Sequence, residues 1–285
     1  MTKIALEDIK ALREKTHAPM SDCKSALEAV GGDLEKAVDE LRKKGLALMV
    51  KRGDKEASQG LVGAYASGAE GVLVEVRAET DFVARNDKFQ KFVDDMTELA
   101  FEHKCQSAED LEKVIYAGDT VKAALADLVG SIRENITFGR VKYLSVKSGS
   151  VGSYVHDKAS MRAGRIGVLV AISAPSCTND LEDLAKKMAM HVAASKPVFC
   201  FDADVDQDSI AREKALAEER ARESGKPEHI LPKIIEGRMA AYMDTVVFAR
   251  QSYLFDSSKT VMESVSASQD GARLEGFASL AIKGS

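Results

Sequence analysis

The chain reads as an α+β protein: an N-terminal three-helix bundle, two duplicated αβ lobes with antiparallel sheets, and a protruding antiparallel helical hairpin. Three observations carry this reading. The strongest is an internal repeat, in which Val62, Gly63, Ala64 and Tyr65 recur as Val151, Gly152, Ser153 and Tyr154, and Gly71, Val72, Leu73 and Val74 recur as Gly167, Val168, Leu169 and Val170. A strand pair followed by a helix, given twice, suggests two related lobes, since each sheet needs its own helical cover. The second observation is the apolar spacing of three or four over residues 4–44, the mark of short amphipathic helices. The third lies at 208–239, where Arg212, Glu213, Lys214, Glu218, Glu219, Arg220, Arg222 and Glu223 interleave both signs beside a thin apolar seam. Such a segment buries little except against its own returning helix.

In chain order, Ile4, Ile9 and Leu12 mark the first helix, Met20, Cys23, Ala26 and Leu27 the second, and Leu34, Ala37, Val38 and Leu41 the third. Asp33 after Gly31 and Gly32 is a turn and cap, and Gly45 is expected to end the third helix. His17 and Pro19 stiffen the first loop, because proline fixes its own φ and restricts its predecessor. Over 49–59 the pattern fades into Lys51, Arg52, Asp54, Lys55 and Glu56, which read as a linker. In the first lobe Phe89, Phe92, Val93, Met96, Leu99 and Ala100 form an apolar stripe; in the second Leu181, Leu184, Ala185, Met188, His191 and Val192 take the same places. Later strands over 141–146 and 274–282 complete the two sheets. The second copy has a longer hairpin tip, with residues 157–162 inserted after His156. The expected units are therefore 1–52 (bundle), 56–147 (first lobe), 148–206 and 240–285 (second lobe), with the helical hairpin at 207–239 inserted. That hairpin is open to two readings, solvated spacer or docking arm, and a homodimer through it is a candidate that the residues do not decide.

Residues 71–85 are the stretch around which the rest is organised. Gly71, Val72, Leu73, Val74, Glu75 and Val76 read as a strand, and Thr80, Asp81, Phe82, Val83, Ala84 and Arg85 turn abruptly into an amphipathic helix. Thr80 or Asp81 suits the N-cap, where a short side-chain oxygen accepts from unpaired amides. Two readings stand side by side: Phe82 packs inward at a helix start, or Asp81 and Phe82 stand together at a rigid corner as a probe for another protein.

Residues 75–85 resemble the signature of the elongation factor Ts family, guanine-nucleotide exchange factors for elongation factor Tu, with Arg77 where the family usually has Asn. Leu12, Arg13, Thr16, Met20, Asp22, Cys23, Lys24, Ala26 and Leu27 fit a second signature of that family, and residues 188–197 carry a third motif. The small bundle is similar both to ubiquitin-associated domains and to the family's N-terminal module. The resemblance implies that Thr80, Asp81, Phe82 and Val83 form an exchange probe beside the magnesium and phosphate region of elongation factor Tu, GDP-bound or nucleotide-free. It also implies partner contacts at Arg13, Met20 and Lys24 on the bundle, with Met20 and Leu254 as an apolar socket weakened by Ser21, and at Ile132 and His156 on the lobes. From pattern alone Ile132 is equally a core residue and His156 an exposed hairpin residue. Some members carry a further C-terminal helix; this chain ends at Ser285, soon after its expected last strand, and that contact is not expected.

Composition limits the alternatives. With 285 residues, 45% of them hydrophobic and 30% charged, the chain has the make-up of a soluble globular protein of about two domains. A net charge of −5 argues against nucleic-acid phosphates as the main partner, which would call for a concentrated basic face. No run of about 18 apolar residues is present, so no membrane partner is expected and the expected compartment is the cytoplasm, or an organelle matrix after removal of a transit peptide. Cys23, Cys105, Cys177 and Cys200 are far apart and indicate neither a zinc site nor a disulfide framework. No phosphate-binding G-x-x-x-x-G-K-[ST] loop, G-x-S-x-G or H-E-x-x-H motif occurs. The adjacent Asp94 and Asp95 read as solvated, and His191, on an apolar stripe without a second ligand nearby, as a satisfied core histidine. No enzyme activity and no cofactor are expected. A scaffold that reads peptides with its ubiquitin-associated-like bundle is the alternative, but it leaves the 80–85 corner and the duplicated lobes without a role.

Overall fold

The computed structural model describes residues 4–16 and 18–283. Helices α1 (Leu6–Thr16), α2 (Met20–Ala29) and α3 (Leu34–Arg52) form the N-terminal bundle around Ile9, Leu12, Cys23, Ala26, Leu27 and Ala37. The Asp33 carboxylate caps α3, accepting from the Glu35 and Lys36 amides. Pro19, at φ −57°, precedes α2 and its carbonyl accepts from the Asp22 and Cys23 amides; His17 lies outside the described residues.

The third helix does not end at Gly45. It continues to Arg52, so the expected linker is helical up to that residue and irregular only over 53–58. Gly45 is buried because α3 crosses α7 (Val121–Ile132) there: an added Cβ would sit 2.7 Å from the Ala126 carbonyl oxygen, and one on Gly130 would sit 3.5 Å from Gly45 Cα. Glycine in a helix interior costs roughly 1 kcal/mol relative to alanine, and backbone contact between the two helices repays it. Asp22 fastens the same junction, its carboxylate accepting from Lys44 on α3 and from Arg133 at the end of α7.

Each lobe repeats one plan. The first has strands β1 (Gln59–Ser67) and β2 (Glu70–Ala78), helices α4 (Asp81–Ala84), α5 (Asp87–Glu102) and α6 (Ala108–Lys113), a small hairpin β3 (Ile115–Tyr116) and β4 (Asp119–Thr120), then α7 and β5 (Ile136–Ser145). The second has β6 (Gly149–Lys158), β7 (Ala163–Ser173), α8 (Asn179–Ser195), the helical pair α9 (Gln207–Glu223) and α10 (Leu231–Val246), a small hairpin β8 (Ser252–Tyr253) and β9 (Asp256–Thr260), then α11 (Val261–Ser268) and β10 (Arg273–Ala281). The repeat thus extends further than the sequence motifs, into the small hairpins and the helices after them. Thr120 and Thr260 cap those helices, accepting from the Ala123 and Glu263 amides.

Strand β2 lies between β1 and β5, and β7 lies between β6 and β10, all antiparallel. The two halves also join edgewise at Val62–Gly164 and Gly63–Ala163, which makes one six-stranded sheet. Between them lies a seam of Val62, Ala64, Leu73, Val151, Leu169 and Ala171. The glycines that open the repeated Gly-Val-Leu-Val show its symmetry. A Cβ on Gly71 would meet Val151 and Leu169, and one on Gly167 would meet the repeat equivalents Val62 and Leu73. Each half then buries its other face under its own helices, Phe89, Phe92, Val93 and Met96 in one lobe and Leu181, Ala185, Met188 and Val192 in the other.

Helices α9 and α10 interrupt the second lobe between α8 and β8. Ala217 and Ala221 are the buried residues of α9, and α10 has none, so the pair packs chiefly on itself along a narrow seam. No helix among the described residues is long and apolar enough to cross a membrane. Asp94 and Asp95 are not simply solvated. Asp94 accepts from Ser160 and Arg162 across the lobe boundary, and Asp95 accepts from the Tyr116 hydroxyl at 2.6 Å.

Candidate partner-binding groove

The corner after β2 is tighter than the amphipathic helix expected there. A single turn, α4, spans Asp81–Ala84, and a separate helix restarts at Asp87 with Asn86 as its cap, accepting from the Lys88 and Phe89 amides. Thr80 occupies the N-cap position of α4 but makes no capping bond. Its amide and hydroxyl both donate to the Glu134 carboxylate, at 3.0 and 2.8 Å. Glu79 accepts from the Asn135 amide and from Arg52 Nη1 at 2.9 Å. Gln90 Nε2 closes the far side by donating to the Ala84 carbonyl at 3.0 Å.

Within this frame the four corner residues divide their roles. Val83 and Ala84 are buried and anchor the turn, whereas Phe82 is 75% exposed and Asp81 is exposed with Arg85 3.7 Å away. A bare phenyl ring in water forgoes roughly 1.5–3 kcal/mol of burial. The inward-packing reading of Phe82 is therefore not what the structure shows.

Strand β2 that carries the corner is itself pinned. Glu75 is 3% exposed and lies at a register shift between β2 and β5. It accepts from the Arg140 amide at 3.0 Å, from Arg140 Nε at 2.9 Å and from Arg77 Nη2 at 3.0 Å. Burial by itself would raise its pKa, but those donors outweigh it and lower the carboxyl to about 2. Arg77 thus has a partner in Glu75.

Phe82 stands on one wall of an open groove of about 1530 Å³ between the lobes. Thr80, Asp81 and Arg85 share its wall; His156, Lys158, Met190 and Leu254 come from the second lobe. His156 is exposed near the end of β6, its Nδ1 3.4 Å from the Tyr154 hydroxyl. Leu254 is 59% exposed at the β8–β9 turn, and its amide donates to Nδ1 of the buried His191 at 3.1 Å. Because Nδ1 accepts, Nε2 carries the proton and donates to Gln251 Oε1 at 2.9 Å. Burial lowers the His191 pKa, so the imidazole holds the Leu254 turn in its neutral form.

The other expected contact residues lie outside this groove. Arg13 is exposed on α1, and Lys24 is exposed on α2 with Glu28 3.7 Å away. Met20 packs partly against the bundle core, so Leu254 lines the groove without it. Ile132 packs partly against the first lobe's core. Sequence reasoning missed Arg52, Glu79, Glu134 and Asn135, which brace the corner. Glu134 acts on a residue 54 positions away, and an acidic residue between a helix and a strand carries no periodic signal of that task.

Comparison with known proteins shows the family. The family model described as "Elongation factor TS" matches residues 79–283. A protein named Elongation factor Ts from Rhodospirillum centenum is 43% identical over 270 residues, covering 93% of this chain and 87% of that protein. Proteins of the same name from Bartonella bacilliformis and Magnetococcus marinus are 40% and 42% identical over 285 and 261 residues, covering 98% and 91% of this chain and 92% and 84% of their own length. With most of its length under one family model and such relatives matched nearly from end to end, the chain is a translation elongation factor that belongs to the elongation factor Ts family.

Proposed function

We propose that this elongation factor is a nucleotide exchange factor: it binds elongation factor Tu, GDP-bound or nucleotide-free, and promotes GDP release by disturbing the magnesium and phosphate site. The observation that carries this reading is the exposed Phe82 beside Asp81 on a turn whose remaining contacts are fixed. A nucleotide on such a GTPase is held by backbone amides, a lysine and a magnesium ion. A partner that binds the empty form better than the loaded one lowers nucleotide affinity by the same factor. An acid and a ring can do this only if they do not yield. Buried Val83 and Ala84 and the Thr80–Glu134 pair supply that stiffness. No bond is made or broken, and the chain is not an enzyme in this reading.

The bundle contributes Arg13, Met20 and Lys24 toward the partner's nucleotide domain. Ile132, His156 and Leu254 add contacts from the lobes. The reading places the protein with translation in the cytoplasm. A peptide-reading scaffold has less support, because one face of the bundle's α3 is taken up by α7 where the two helices cross.

The test is release of fluorescent GDP from preloaded elongation factor Tu. The protein is expected to accelerate release strongly. Asp81→Ala with Phe82→Ala should abolish the acceleration while circular dichroism and partner binding persist. An unaltered release rate with the unmodified protein would refute the reading, and so would a double variant as active as its parent.

A further inference from the structure

The groove has one wall from each lobe, so its width depends on how the lobes are fixed to one another. Their apolar seam is non-directional, and the edge pairing amounts to Val62–Gly164 and Gly63–Ala163. Directional bonds also join the lobes at Arg165–Gln59, Arg140–Ala281 and Val151–Gly68, and one turn carries the densest set. It is the turn between β6 and β7, residues 159–162, the part of the second copy that is longer than its counterpart in the first. There Asp94 Oδ1 accepts from Ser160 Oγ at 2.7 Å and from the Arg162 amide at 2.9 Å. The Ala64 amide donates to the Arg162 carbonyl at 2.9 Å. The Arg162 side chain lies 4.7 Å over the Tyr65 ring and donates to Glu98 at 3.2 Å.

We propose that this turn is a clasp that sets the width of the groove, with Asp94 as its positioning residue. The mechanical path is short on both sides. Asp94 lies on α5, which restarts directly after the Asp81–Ala84 turn and is tied back to it by Gln90. Ser160 and Arg162 follow the strand that carries His156 and Lys158. The clasp therefore links the Phe82 wall to the His156 wall. A carboxylate accepting two bonds at one oxygen is a stronger tie than a neutral pair. A partner that touches both walls then meets them already spaced and spends no binding free energy on ordering them. What fills the groove rests on the exchange reading above; the clasp itself does not.

The experiment measures the groove with and without the partner. Spin labels on Lys88→Cys and Lys158→Cys, with the exposed Cys177 and the half-buried Cys200 changed to Ser, report the distance across the groove by pulsed electron resonance. The parent should give a narrow distribution. Asp94→Ala should broaden it, and Asp94→Asn, which keeps the accepting oxygen without the charge, should restore it in part. Ser160→Ala, which removes one hydroxyl from a half-buried turn, should broaden it partially and serves if Asp94→Ala folds poorly. Equal distributions in the parent, Asp94→Ala and Ser160→Ala would overturn the proposal. In the GDP-release assay, without labels, Asp94→Ala should raise the concentration for half-maximal acceleration about tenfold, the effect of losing about 1.4 kcal/mol of binding, with the maximal rate retained. A drop in maximal rate at unchanged half-saturation would also overturn it. If the unmodified protein does not accelerate release, the exchange reading fails while the distance measurement still decides the clasp.

Discussion

Replacing Glu75 by Gln removes the charge that pins β2 to β5 just before the corner, while keeping nearly the same shape. In the folded protein this carboxyl titrates at about 2, against an ordinary value of 4.5. That difference of about 2.5 pH units, at roughly 1.36 kcal/mol each, corresponds to about 3 kcal/mol of stability at neutral pH. The sign follows from proton uptake. The folded value is depressed, so the contribution is complete above about pH 4.5 and is lost as the pH falls toward about 2. Arg77 and Arg140 are 40% and 49% exposed; water takes over their hydration in the variant, and the cost stays near the lower end of the roughly 3–5 kcal/mol found for broken buried pairs. Urea unfolding followed by circular dichroism should show Glu75→Gln less stable by about 3 kcal/mol at pH 7 and by about 2 kcal/mol at pH 3.5. A difference below about 1 kcal/mol at pH 7, or one that does not shrink in acid, would refute the assignment of the β2–β5 junction to this ionised group.

Two further tests probe the core and its buried imidazole. A methyl on Gly152 would collide with the Ala185 backbone of α8, whereas at Gly63 it would collide with the Thr97 side chain of α5. Both Gly→Ala variants should lose on the order of 1–3 kcal/mol, but adding Thr97→Ala should recover much of the Gly63→Ala loss, and truncating Ala185 to Gly should recover little for Gly152→Ala. Thermal melts of the four variants decide this, and equal rescue would contradict the packing described. For His191, burial holds the folded pKa below the ordinary 6.5, so the unfolded chain takes up a proton that the folded one refuses. This contribution to stability is complete above about pH 6.5 and falls as the solution is acidified through the folded value. His191→Gln should flatten the dependence of the urea midpoint between pH 7.5 and about 5.5; an unchanged slope would exclude His191 as its source.

Much of the architecture is legible because periodicity is a local property. The recurrence of Val62–Tyr65 at Val151–Tyr154 requires two like lobes, and the stripes from Phe89 and from Leu181 require a helix over each. The same patterns do not say which neighbour covers a face. Gly45 looks like a helix end until α7 is seen to cross it, since a glycine that stops a helix and one that admits a backbone read alike. Asp94 looks solvated until the 159–162 turn of the other lobe reaches it.

The candidate site divides in the same way. The residues at 80–85 and the turn before them mark a corner by their order alone, so the sequence by itself determined that an acid and an aromatic ring stand there side by side. Only the tertiary structure decided that the ring faces water, that Glu134 rather than a helix cap holds Thr80, and that His156 and Leu254 share the opposite wall. Those outcomes depend on groups separated by tens to more than a hundred residues, as with Asp22 and Arg133, 111 apart. The free energy of such pairs comes from burial and geometry that exist only once the chain has closed on itself.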